Sequence, residues 1–230
     1  MITVEMARCI AKISGDGCLY YRYIRYNNTC KELREEFVAD VKKEFNHTKF
    51  TYGVSNSGTS FVQIHGKALI GKFLEFLPSY KSADIYVPAQ LFAASIEAKS
   101  AYLRAIFDDE GSVGIRIFAK TGEWKRNIKI DSKSYALLEG IKALLLEFGI
   151  SSNNIRRCDK KDKYWYYLGV SRRENFEQFS KFIGFTHPLK QKKLLFLLRT
   201  YKVTYKRNYL CFVILQKELK KLLRPHKAAQ

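Results

Sequence analysis

Two acidic residues each stand immediately before a glycine, at the end of a run of small and apolar residues. They are Asp16 in MARCIAKISGDG (6–17) and Glu110 in SAYLRAIFDDEG (100–111). Set 94 residues apart, the stretches place Ala7 on Ala101, Ala11 on Ala105, Ser14 on Asp108, Gly15 on Asp109 and Gly17 on Gly111. Residues spaced three or four apart share one helix face, so Ala7, Ala11 and Ser14 form a nearly bare face that Ala101, Ala105 and Asp108 repeat. Two such helices can approach until their backbones nearly touch. Each is expected to stop at its glycine in the left-handed turn that helix ends favour. A carboxylate at that point sits against the negative end of the helix dipole, the wrong end for stability. Pairing of the helices would also bring Asp16 and Glu110 close enough to repel unless a cation intervenes. Mg²⁺, or Mn²⁺ in its place, suits carboxylate and carbonyl oxygens and keeps waters that can be activated, which is the chemistry of phosphodiester hydrolysis. A lone Gly-Asp-Gly after a helix is ordinarily a turn. Its recurrence, with the same bare face, points to chemistry.

The segments after the two motifs repeat as well. After Gly17 comes an aromatic-basic stretch, CLYYRYIRYNN, expected as a strand, then a helical pattern over 31–45. Strands near 49–55 and 59–65 flank an SNSG hairpin turn, and a helix over 67–77 closes the unit. After Gly111, strands near 112–119 and 125–131 flank KTGE. A helix over 134–150 comes next, capped by Ser132 or Ser134 and ending at Gly149. Strands near 154–158 and 163–171 and a helix over 174–183 complete the second unit. Pro78 and Pro88 bracket the junction, so the expected division is 1–80, 81–185 and a basic, helical C-terminal extension over 186–230.

Composition narrows the partner. With 230 residues and 47% hydrophobic content the chain can bury a proper core. Lys and Arg total 41 against 22 acids, a formal charge of +19, and so basic a surface suits an extended polyanion. A ribosome-associated or membrane-surface protein would share that charge but would not explain the duplicated acid-glycine motif. The five cysteines have no paired metal spacing and read as reduced thiols inside a cell, in cytoplasm or nucleoid, or in an organelle matrix if the source is eukaryotic. The first residues are too charged for a signal peptide, and no apolar run of about 18 residues offers a membrane span.

At these residues the sequence resembles the LAGLIDADG homing endonucleases: CIAKISGDG (9–17) and LRAIFDDEG (103–111) occupy the two nine-residue motifs. The resemblance covers roughly residues 5–200. It implies an α+β fold, a duplicated αββαββα with two four-stranded antiparallel sheets forming a DNA-binding saddle about a pseudo-twofold axis. It implies an intron-encoded monomer that cuts a long, pseudo-symmetric double-stranded DNA site. Asp16 and Glu110 become the catalytic, metal-binding acids, with the backbone carbonyls of Gly15 and Asp109 as further ligands. Lys133, beside Ser132, stands at the place near the scissile phosphates where the family often has a lysine. Asn28 and Thr29 hold the equivalent place in the first half, with Lys31 the nearest basic residue. That inequality implies that one strand is cut more slowly. Cys9 and Lys12 stand where the family has apolar residues.

Strand parity then predicts the DNA-facing residues. With Val113, Ile115 and Ile117 inward, Ser112, Gly114, Arg116 and Lys120 face DNA; with Ile128 and Ile130 inward, so do Lys125, Asn127, Lys129 and Asp131. Tyr164, Tyr166, Leu168 and Val170 are expected buried, leaving Trp165, Tyr167 and Ser171 outside. Val62 and Ile64 expose Phe61, Gln63 and His65, while Tyr20, Arg22 and Arg25 belong to the first strand with ambiguous parity. Arg pairs with guanine and Asn or Gln with adenine, whereas Lys more often reaches phosphate. The competing readings are an intron RNA maturase and a non-catalytic nucleic-acid-binding protein on the same scaffold. Neither of them needs both acids.

Overall fold

The computed structural model describes residues 2–118, 123–161, 163–202 and 209–223. The first unit runs α1 (Val4–Ser14), β1 (Gly17–Leu19), β2 (Tyr23–Asn27), α2 (Lys31–Phe45), β3 (Thr51–Val54), β4 (Ser60–His65) and α3 (Lys67–Leu74). A short α4 (Ala89–Phe92) leads into the second: α5 (Ile96–Glu110), β5 (Gly111–Ile117), β6 (Trp124–Ser132), α6 (Tyr135–Glu147), β7 (Arg156–Lys160), β8 (Lys163–Val170) and α7 (Arg173–Phe182). Then come α8 (Pro188–Arg199) and α9 (Tyr209–Leu223). The αββαββα order therefore occurs twice. The strands form two four-stranded antiparallel sheets, ordered β1-β2-β4-β3 and β5-β6-β8-β7, one per unit.

Local chemistry sets the elements. Thr3 and Ser95 cap α1 and α5 by accepting from the Met6 and Ala98 amides. Ser134, rather than Ser132, caps α6 by accepting from Leu137 N. Gly149 ends α6 at φ 69°, with the amides of Gly149 and Ile150 donating back to Leu146 and Leu145. The alternating apolar residues Ile24, Val62, Ile64, Val113, Ile115, Ile128, Ile130, Leu168 and Val170 are all buried on the sides of the sheets that helices cover. No helix among the described residues is long and apolar enough to cross a membrane.

Three sequence expectations change. The stretch 18–28 is not one strand but a hairpin: Tyr20 N donates to Tyr23 O (2.9 Å), and Leu19 pairs with Ile24. No glycine or proline marks that turn, so the sequence carries no punctuation for it. Tyr164, expected in the core, is 44% exposed, because β8 leaves the helix-covered area at that end. The motif glycines are not left-handed either; Gly111 has φ −86°, and Gly17 is absent from the positive-φ positions among the described residues.

Their smallness serves close approach. A Cβ on Gly17 would meet Ile13 Cα at 2.5 Å, and one on Gly111 would strike the Phe107 carbonyl. Each strand thus leaves by doubling directly across the last turn of its own helix. Gly15 meets the other helix instead: its Cβ would sit 2.7 Å from that of Asp109. The ends of α1 and α5 lie this close because Ala7, Ala11, Ala101 and Ala105 are buried between them.

Gly111→Ala is expected to lower stability by about 2 kcal/mol or more, since backbone has to yield. Gly71→Ala, in α3 with open space around it, is expected to raise stability by about 0.5 kcal/mol. Urea midpoints of the two variants check both signs.

Candidate active site at the paired helix ends

Asp16 lies two residues past α1, and Glu110 is the last residue of α5. Around them the structure builds a polar network. Asn28, buried at the end of β2, donates from Nδ2 to Asp16 Oδ2 (2.8 Å) and lies 3.3 Å from Asp109 Oδ1. Its own Oδ1 accepts from Cys30 N (2.9 Å), which ties it to the start of α2. Tyr26 donates its hydroxyl to Asp109 Oδ1 (2.6 Å), and Asp16 N approaches Asp109 Oδ2 (3.5 Å). The Asp109 side chain therefore links the two helix ends.

Lys190, in the first turn of α8, brings a cation to this place. Its ammonium donates to the carbonyls of Phe107 (3.2 Å), Asp108 and Asp109 (3.3 Å). Asp108 answers by accepting from Thr186 N and His187 N, both at 3.0 Å, just before α8 begins. Each helix thus supplies the side chain that satisfies the other's orphan backbone groups. Lys12, wholly buried in α1, pairs with Glu36 (2.9 Å) and lies over the Tyr26 ring at 5.1 Å. Where the family pattern has an apolar residue, this chain holds a buried cation behind the acids.

The electrostatics come from crowding. Burial and the neighbouring Asp16 push the Glu110 carboxyl from its ordinary 4.5 to about 7, against the pull of Lys190. Burial also raises Asp16, opposed by Lys190 and the Asn28 hydrogen bond, and lifts Asp109 well above the usual carboxylate range. Two carboxylates under such pressure, at the negative ends of two helices, form a donor set that a divalent cation relieves. Among the described residues there is no cluster of three or more His, Cys, Asp or Glu arranged as a ready chelate. Water and phosphate oxygens would complete the shell, as Mg²⁺ prefers. The Asp109 carbonyl, one of the expected ligands, is shared with Lys190; Gly15 stands beside it across the helix seam.

The other expected residues are spread more widely. Asn28 touches Asp16, whereas Lys133 lies exposed between β6 and α6, and the cation brought to the acids is Lys190. Arg25 and His65 lie on the outer face of the first sheet, with Tyr20 and Arg22 exposed in the β1–β2 turn. Gln63 shares that face, yet Arg25 and His65 cover it to 9% exposure, a correction to the expected exposed position. Phe61 is likewise half-buried, under the Arg25 guanidinium. Ser112, Arg116, Lys125, Asn127, Lys129, Trp165 and Tyr167 share the outer face of the second sheet by register. Ser171 lies past β8, bound to Asn153 Oδ1 at 3.4 Å. Lys120 lies outside the described residues. The same register adds Arg156 and Lys160 to that face, which strand parity on the short β7 does not single out.

Residues 97–184 match the model of the LAGLIDADG-like domain. Solved structures share the fold. The homing endonuclease I-DmoI in complex with DNA and Ca is 15% identical at a TM-score of 0.59, covering 84% of this chain and 97% of that one. I-WcaI bound to its DNA recognition sequence is 14% identical at 0.51, covering 83% and 85%. Residues 97–184 form a LAGLIDADG-like domain, and the chain as a whole has the fold of the LAGLIDADG homing endonucleases. Among curated relatives, glutamine–fructose-6-phosphate aminotransferase of Methanocaldococcus jannaschii is 31% identical over 96% of this chain but 20% of its own length. The replication factor C small subunit of the same organism is 25% identical over 85% of this chain and 10% of its own. The chain thus spans a fifth or less of those two relatives.

Because Glu110 binds its proton more tightly folded than unfolded, its contribution to stability is present below about pH 4.5 and is lost as pH rises through about 7. Glu110→Gln is therefore expected to raise the metal-free stability at pH 8 by about 2 kcal/mol, with little change at pH 4.5. Melting temperatures at both pH values without divalent metal check the sign.

Proposed function

We propose that this LAGLIDADG chain is a divalent-metal-dependent endonuclease that cuts both strands of a long, pseudo-symmetric double-stranded DNA site as a monomer. The observation that carries the reading is that the ends of α1 and α5 meet at Gly15 and Asp109, so that Asp16 and Glu110 feel each other's charge, while Lys190 binds the carbonyls of Phe107, Asp108 and Asp109 beside them. Asp16 and Glu110 would hold Mg²⁺ or Mn²⁺, which when bound supplies an activated water and offsets charge on the phosphate. Asn28 fixes the Asp16 carboxylate, so the donor is aimed before metal arrives. Lys190 places a positive charge beside both acids, where it offsets charge that develops on the phosphoryl oxygens.

The flanking sheets support the same reading. Arg116, Lys125, Lys129, Arg156 and Lys160 share one outer face, a density of charge suited to a phosphate backbone. The I-DmoI and I-WcaI structures carry DNA on this fold. The two curated relatives have no activity in common, yet both contain a stretch like this chain. We read that stretch as an inserted module, as expected of an endonuclease that spreads its own gene; whether an intron carries the gene is part of the same reading. The maturase alternative predicts tight intron RNA binding that ignores the acids.

Asp16→Asn and Glu110→Gln are each expected to abolish double-strand cleavage while retaining duplex binding, with Lys190→Met lowering the rate roughly a hundredfold. Cleavage of a library of candidate insertion sites in Mg²⁺ and in EDTA checks this. Cutting that survives in either acid variant contradicts the mechanism, and tight RNA binding without any cutting favours the maturase.

A further inference from the structure

On the outer face of each sheet, at positions related by the duplication, a cation lies over an aromatic ring. In the first sheet the Arg25 guanidinium sits 4.2 Å from the centre of the Phe61 ring and 5.1 Å from that of Tyr23. In the second, Lys129 Nζ lies 5.1 Å from the Tyr167 ring. The registers make these equivalent. Gly17 opposite Tyr26 and Gly111 opposite Ile130 set Arg25 on Lys129. Asn27 opposite Phe61 and Asp131 opposite Tyr167 then set Phe61 on Tyr167.

The two cations are held differently. Arg25 donates from Nε (2.9 Å) and Nη2 (2.7 Å) to one oxygen, Gln63 Oε1. The Gln63 amide nitrogen donates to His65 Nε2 (2.8 Å), which fixes the end of the amide that faces the arginine. Gly53 lets Phe61 lie flat across its neighbour, since a Cβ there would meet Phe61 Cζ at 2.5 Å. A guanidinium carries five N–H donors in a planar fork. With the Nε edge turned to Gln63, the Nη1–Nη2 edge keeps two N–H groups for a ligand. That pair matches O6 and N7 of guanine in the major groove. Lys129 has no fork; Asp131 holds it at 2.8 Å, and its remaining N–H groups radiate from one freely rotating nitrogen rather than from a planar edge.

We propose that Arg25 is a guanine reader aimed before DNA arrives, and that Lys129 marks the symmetry-related base pair with a weaker preference. This inference rests on the double-stranded DNA reading above. Its consequence is a target with a guanine at mirrored positions of its two halves, strict in the half that residues 17–65 cover. A side chain already stacked and tethered gives up little freedom on binding, so its base discrimination is sharper than that of a free arginine.

Selection from a random duplex library by the full chain, with Ca²⁺ replacing Mg²⁺, and sequencing of the bound pool test it. The expected consensus has mirrored guanines. Arg25→Lys is expected to reduce the preference at one of them roughly tenfold, and Gln63→Leu to weaken the same position. The slope of log affinity against log salt counts charges, which lysine preserves, so a general loss of folding would move it and a lost fork would not. A profile unchanged by Arg25→Lys, or a consensus without mirrored guanines, overturns the proposal and leaves DNA binding intact. If the wild type enriches no duplex, the DNA reading falls and this proposal falls with it.

Discussion

The contact between Gly15 and Asp109, where the ends of α1 and α5 come within a side chain's width of each other, governs most of what surrounds it. Bare faces allow the helices to meet, and glycines let each succeeding strand turn back over its own helix end. The result sets the carboxyl groups of Asp16, Asp109 and Glu110 at the negative ends of two dipoles. Such a cluster is unfavourable by itself, and the neighbouring residues answer it. Tyr26 donates to it from β2 and Asn28 from just past that strand, Lys12 lies behind it, and Lys190 reaches in from α8. These partners only partly offset the charge shared by Asp16 and Glu110, both of which burial still pushes above their ordinary values, and the remainder is the charge a divalent ion would take.

The exchange of caps between α5 and α8 makes the segment after residue 186 part of the site rather than an appendage. Asp108 receives the start of α8, and Lys190 receives the end of α5. The position aligned with Asp108 in the first unit is Ser14, whose buried hydroxyl has no hydrogen-bond partner among the described residues, and the chain there passes through α4 directly into α5. The two halves are therefore alike in fold and unlike in electrostatics around the acids. The sheets repeat this contrast, with a tethered arginine on one and a lysine paired to an acid on the other.

Much of this is legible in the residues alone. The small-residue spacing and the acid before each glycine locate the helix pair, and period-two alternation locates most strands. Three features are hidden for physical reasons. The β1–β2 turn is built from tyrosines and an arginine, without the residues that usually mark turns. The motif glycines serve backbone proximity rather than positive φ, and sequence does not separate the two. Lys190 comes from a helix remote in sequence, yet it leaves one signal: a lysine in the first turn of a helix sits at the wrong end of the dipole. The same anomaly that exposes Asp16 and Glu110, applied to PLKQKK, points to it. The burial of Gln63 escapes a reading by parity, which gives the face of a residue and not the side chains that lie on top of it.

The most direct test of the metal-acid arrangement is an anomalous difference map from crystals grown with Mn²⁺ and a bound duplex. Density between the Asp16 and Glu110 carboxylates, lost in Glu110→Gln crystals, is the predicted result. Manganese bound elsewhere, with those two carboxylates hydrogen-bonded to protein groups instead, would contradict the account.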